Sequence, residues 1–172
     1  SPTPVKDWAR KNNKVGIQPK NLLDIRQMIA SYFDLFIVAD YGKIIPIHVF
    51  NIPRYGTLNV HPSLLPKFRG PSPIQSFILS GEKETGVTII LMNEQVDEGP
   101  IVAISNLPGL AKRSGAGKSQ ISNLYYKELE EKLAELGAEL LVKTVPVWAE
   151  GKIKPMEQDD SQAILTKKIK KE

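Results

Sequence analysis

The chain contains no cysteine and only two histidines, His48 and His61, and its longest apolar run is Leu35 to Ala39. Without cysteine there are no disulfides and no thiolate-held metal, which suits a reducing cytoplasm. An apolar run that short excludes a helical membrane span, which needs about 18 residues. The opening Ser1-Pro2-Thr3-Pro4-Val5-Lys6 lacks the charged start, apolar centre and cleavage site of a secretory signal. It also lacks an initiator Met, so the natural N-terminus is expected upstream.

Across 172 residues the chain is 41% hydrophobic and 24% charged, the size and mixture of one domain with a real core. A net charge of +4 and a pI near 9.2 give mild attraction to polyanions. The basic residues are uneven: Lys112, Arg113 and Lys118 share one segment, and Lys167, Lys168, Lys170 and Lys171 crowd the end. Such charge could meet nucleic acid, but charge alone favours a solvated loop and a frayed tail.

Helical spacing of Val5, Trp8 and Ala9 after Pro4 predicts a short surface helix. Val15 to Gln18 reads as a short strand, and Asn21 as the cap of a second helix with Leu22, Ile25 and Ile29 on one face. The apolar run Leu35–Ala39 fits a strand buried on both faces of a parallel sheet. Then follow a short helix over Pro46–Phe50, a strand over Gly56–Val60, a helix over Pro71–Leu79 and a strand over Val87–Met92. Gly99–Ser105 suits a hairpin-like return, and 106–119 reads as a loop. A long helix is predicted over 121–150, with Tyr125, Leu129, Leu133, Leu136, Leu140 and Leu141 inward; Gly137 offers a place to bend, and Gly151 ends it. Strands alternating with helices indicate an α/β domain. The expected fold is an open, mostly parallel, Rossmann-like sheet with helices on both faces. Residues 1–150 form that domain and the polar 151–172 a linker.

On a strand, side chains two apart share a face, so Asn59 and His61 point the same way where the strand ends. Ligands of open α/β sheets lie outside such carboxyl ends, and an amide and an imidazole are good donors to a developing oxyanion. Asp97, after the strand Val87–Met92, could meet His61 if the two strands are neighbours, and pair with its protonated ring or take a proton. The same residues also suit plainer roles, a structural histidine and a turn in which an Asp precedes a Gly. Spacing alone leaves both open. The Gly115-Ala116-Gly117-Lys118-Ser119 stretch is no phosphate loop, because the place five before Gly117 holds Lys112 and no apolar strand leads in.

The run Asn59-Val60-His61-Pro62-Ser63-Leu64-Leu65-Pro66-Lys67-Phe68-Arg69-Gly70, then Pro73-Ile74-Gln75, Thr85-Gly86-Val87-Thr88 and Val96-Asp97-Glu98-Gly99, resembles the formyltetrahydrofolate-dependent formyltransferases in order and spacing. The resemblance implies Asn59, His61 and Asp97 as a catalytic trio, 10-formyltetrahydrofolate as formyl donor, and no metal. It places the pterin against Tyr41, Gly42, Lys43, Ile44 and Ile45 and near Val96, with Ser63, Leu64, Leu65 and Pro66 as part of the wall. By residue type alone, Ile44 and Ile45 also suit ordinary core packing. Asp40 stands where the family more often has a small residue.

Arg69 could hold a substrate phosphate or carboxylate, or form an exposed structural ion pair. Lys112, Arg113 and Lys118 could hold a tRNA acceptor end. His48 reads as a surface or packing residue. The flanks, Ser1–Lys6, Leu133–Leu141 and Lys154-Pro155 through Lys168, are most similar to the family's branch that formylates initiator methionyl-tRNA in the cytoplasm. The family's domain opens with a strand, helix and strand expected before Ser1, so residues 1–150 are expected to be a partial catalytic domain. That branch also implies a monomer when full length, with a further domain beyond the linker, and leaves the 172 residues inactive by themselves. Relatives acting on amino sugars or glycinamide ribonucleotide, the formyltetrahydrofolate hydrolase, and a non-catalytic folate-binding module are the alternatives.

Overall fold

The computed structural model describes residues 3–25, 32–108 and 118–169. Two units divide the chain, Ser1–Tyr32 and Phe33–Glu172. In the first, Thr3 caps helix α1 (Pro4–Lys11) by accepting a hydrogen bond from Lys6 N, and Pro4 occupies the first turn, where no N–H is needed. Val15–Gln18, expected as a strand, has no regular structure. Among the described residues this short run has no partner strand to satisfy its backbone as a ladder would. After Asn21 a single 3-10 turn spans Leu22–Ile25, and the remainder of the expected helix, with Ile29, lies outside the described residues.

The second unit is built on a four-stranded sheet in the order β1 (Phe36–Ala39), β2 (Thr57–His61), β3 (Gly86–Leu91), β4 (Ile101–Asn106). β1 and β2 run parallel; β3 is antiparallel to both β2 and β4. The sheet is therefore mixed rather than mostly parallel. Strand composition records burial but not direction, so the expectation had no purchase on this point. β1 is an edge of the described sheet and alternates half-buried with exposed residues, with Ile37 41% exposed, so it is not buried on both faces as its apolar run suggested.

Three helices belong to this unit: α2 (Ile47–Phe50), α3 (Pro73–Ser80) and the long α4 (Lys118–Ala149). The inward leucines of α4 pack as their spacing predicts. Leu129 and Leu133 meet Val87, Phe68 and, from α3, Ile74 and Phe77; Leu140 and Leu141 lie against Leu58, Ile89 and Val102. Gly137 serves close packing, and the helix runs unbroken through it. A Cβ there would sit 2.9 Å from Val60 Cγ1. Gly151, at φ +68°, follows the end of the helix as expected. The opposite face of the sheet, carrying Asn59, His61, Thr88 and Ile90, meets loop segments. Thr88 Oγ1 donates to the Ser63 carbonyl and accepts from Leu65 N, while Ile90 clusters with Leu65 and Ile101. Among the described residues, no helix is long and apolar enough to cross a membrane.

Candidate functional site

β2 sends Leu58 and Val60 toward α4, so Asn59 and His61 emerge on the other face, as the two-residue period requires. Because β3 is antiparallel to β2, the loop that follows it leaves at the Leu58 end, and residues 93–99 double back to bring Asp97 to Asn59. Asn59 Nδ2 donates to Asp97 Oδ1 at 3.2 Å, and Gly70 N donates to Oδ2 at 2.8 Å. His61 Nδ1 lies 3.6 Å from Oδ1, an ion-pair separation rather than a hydrogen bond. The trio expected from the sequence thus meets at one carboxylate.

The other nitrogen of His61 fixes the ring. Nε2 is 3.0 Å from the Phe68 carbonyl. A carbonyl only accepts, so Nε2 carries a hydrogen and donates it. Nδ1 is then the ring nitrogen that faces Asp97. His61 is 4% exposed, which shields the ring from bulk water.

A cavity of about 850 Å³ opens beside the trio. Tyr41, Gly42, Lys43, Ile44, Ile45 and Val96 line it. Ile44 is 86% exposed, which rules out core packing as its role. Asp40 also lines the cavity, in the left-handed backbone region at φ 48°. Ser63, Leu64, Leu65 and Pro66 are not on the wall. Ser63 is fully buried and its hydroxyl donates to the Lys67 carbonyl, Leu65 belongs to the core with Ile90 and Ile101, Leu64 reaches toward Gly86, and the Pro66 carbonyl accepts from Ile164 N. These residues brace β2 and β3 from behind the site.

Arg69 is another correction. It is neither exposed nor turned to the cavity: it is 3% exposed and committed to Asp160 at 2.6 Å, Glu98 at 3.7 Å and Gln158 at 3.0 Å. Its planar fork of donors suits several fixed acceptors of its own chain. Lys112, Arg113 and the side chain of Lys118 lie outside the described residues. His48 is exposed on α2.

Sequence reasoning missed part of the cavity wall. α4 contributes Tyr126, Glu130 and Ala134 beside Gly137 and Ala138. Tyr126 donates to Glu130 at 2.9 Å, and its phenol is pushed up to about 12 by burial first, then by the hydrogen bond and charge of Glu130 and the charge of Asp40. The i,i+4 spacing of Tyr126 and Glu130 was the available signal. In the sequence, Gln158 reads only as part of the flank that resembles the family, with no role at the site. Among the described residues, no group of three or more His, Cys, Asp or Glu could hold a metal ion.

A methionyl-tRNA formyltransferase of Chloroflexus aurantiacus is 41% identical over 177 aligned positions, taking in 100% of this chain and 53% of that protein. Another, of Dictyoglomus thermophilum, is 41% identical over 99% of this chain and 53% of its own length. The chain spans about half the length of the curated relatives it matches. Among solved structures, an N-formyltransferase from Helicobacter canadensis, in complex with folinic acid and dTDP-3-aminofucose, shares the fold at a TM-score of 0.72 and 18% identity, over 94% of this chain and 53% of that one. The formyl transferase family pattern matches residues 4–145, well over half of the sequence, and the chain belongs to that family.

Proposed function

We propose that the full-length protein carrying this chain transfers the formyl group of 10-formyltetrahydrofolate to the α-amine of initiator methionyl-tRNA, in the cytoplasm and as a monomer. The observation that carries the chemistry is the Asp97 carboxylate held between Asn59 and His61 on the wall of a cavity. The acceptor rests on the methionyl-tRNA formyltransferases that are 41% identical across the chain. The donor fits as well. About 850 Å³ suits a drug-sized ligand, and the wall offers a flat heterocycle backbone groups at 41–43 and aliphatic side chains such as Ile44, Ile45 and Leu141.

The neutral amine attacks the formyl carbon, forming the new C–N bond while the carbonyl electron pair moves onto oxygen. Asn59 Nδ2 and a proton on His61 Nδ1 stabilise that oxyanion. Asp97 accepts the proton shed by the attacking nitrogen, and its hold on Asn59 and His61 weakens as its charge is neutralised. Both donors are thereby freed for the oxyanion when it needs them. Collapse breaks the bond to the folate nitrogen, which takes up a proton, and formylmethionyl-tRNA and tetrahydrofolate leave.

In the full-length protein, His61→Ala and Asp97→Ala are each expected to lower turnover by roughly 10²–10⁴-fold. Unchanged turnover in either would defeat the catalytic reading and favour a non-catalytic folate-binding module. The amino-sugar complex of the Helicobacter structure supplies the competing acceptor class. Formylation of a nucleotide-linked amino sugar in preference to methionyl-tRNA would replace the acceptor while leaving the chemistry intact.

A further inference from the structure

Residues 152–166, expected to be a linker, are hydrogen-bonded onto the domain at two places. Ile101 and Met156 exchange backbone bonds of 2.7 and 2.9 Å, and Arg69 pairs with Ile164 and Thr166 at 2.9 and 2.7 Å. Gln158 sits between these anchorages. Its Nε2 donates to the carbonyl of Asp97 at 2.9 Å and to that of Gly99 at 2.7 Å, and its Oε1 accepts from Arg69 Nε at 3.0 Å.

The orientation of that side chain is determined by its partners. A guanidinium only donates, so Oε1 must face Arg69, and both hydrogens of Nε2 are left for the two carbonyls. Arg69 is itself fixed by burial and by Asp160 and Glu98. Asp97 adopts φ 57°, in the left-handed region, which is uncommon for a residue with a Cβ although Asp takes it more readily than most. Gln158 does not line the cavity.

We propose that Gln158 is a positioning residue for Asp97: it clamps the loop carbonyls on either side of Glu98 and so sets where the carboxylate stands relative to Asn59 and His61. This inference rests on the reading of Asp97 as catalytic. The clamp also ties the segment after α4 to the reaction, because a displacement of residues 156–166 would move Asp97.

The test uses the full-length protein with 10-formyltetrahydrofolate and methionyl-tRNA. Gln158→Glu keeps the acceptor for Arg69 but removes both donors and sets a carboxylate against two carbonyls. The expected result is a fall in kcat of at least about tenfold with donor KM within about twofold, since the cavity wall is untouched. In an Asp97→Ala background, the same substitution should lower the single-turnover rate by less than about twofold, because it acts through Asp97. Parental kcat, a raised donor KM at unchanged kcat, or an equal loss in both backgrounds would overturn the proposal. If circular dichroism shows Gln158→Glu unfolded, Gln158→Met carries the same expectations, and failure of both to fold makes the role structural and overturns it too. An Asp97→Ala protein with parental turnover sinks the catalytic reading itself, whereas a crippled Asp97→Ala beside an unaffected Gln158→Glu sinks this inference alone.

Discussion

Gly99→Ala would test how tightly the Asp97 loop is held against the sheet. The φ of Gly99 lies outside the left-handed region, so the effect of a methyl there is spatial. Its Cβ would fall 1.9 Å from the Leu91 carbonyl oxygen, where real Cβ atoms do not come within 3.0 Å, so roughly 1 Å of relief must be found. Leu91 yields little, because it is paired with Leu58 in the sheet and its N–H donates to Pro100. The movement falls on residues 93–99. Overpacking of this kind costs about 1–3 kcal/mol of stability. A displacement near 1 Å at a reacting group costs on the order of 10²-fold in rate. Urea denaturation and steady-state formyl transfer by the full-length protein read the two effects separately. A variant with parental stability and parental kcat would show that the loop does not approach Leu91 as described.

Other parts of the site and core make separate predictions. Leu129 is 1% exposed in the cluster with Val87 and Phe77 and is not on the cavity wall. Leu129→Ala should cost about 2–5 kcal/mol in denaturant titrations, with donor KM unchanged. The Tyr126 phenol, raised to about 12, keeps its proton in the folded state at pH values where an unfolded tyrosine, with a pKa near 10, loses it. The folded state then binds more protons, so this contribution to stability is intact below pH 10 and is lost as pH rises toward 12. Ultraviolet difference titration against Tyr126→Phe isolates this group, and Glu130→Gln should bring its midpoint down, though burial keeps it above the ordinary tyrosine value. A midpoint unmoved by Glu130→Gln would remove Glu130 as a cause.

Much of this was legible because it repeats. The α4 stripe from Tyr125 to Leu141 holds a helical period over several turns, and the helix appears at Lys118–Ala149, within a few residues of its expected bounds. Gly56–Val60 and Val87–Met92 are marked as strands by β-branched and aliphatic residues, and both are strands. Strand direction is not written in such patterns, so the antiparallel β3 could not be read. Between Pro62 and Gly70 no period exists to say which side chains turn inward, and Ser63 and Leu65 went to the core instead of the cavity. Arg69 reads as a surface charge until the acceptors of a distant segment are known. The lysine-rich segment after α4 engages in part through its backbone, which any composition can supply.

The unreadable strand direction is also what makes the unreadable segment necessary. In a parallel sheet, successive loops leave at the same edge, and Asp97 would have met His61 with a short connection. With β3 reversed, its loop starts at the Leu58 end and must return over the sheet to place a carboxylate 3.2 Å from Asn59. A returning loop has no strand partner, so its carbonyls need other donors. It also passes through a left-handed residue at Asp97 and a contact at Gly99 that tolerates no Cβ. Gln158 supplies two donors to those carbonyls, Arg69 orients Gln158, and residues 156–166 anchor both. The position of one carboxylate thus depends on a segment about 60 residues further along the chain, which places the functional boundary of this domain beyond the end of α4.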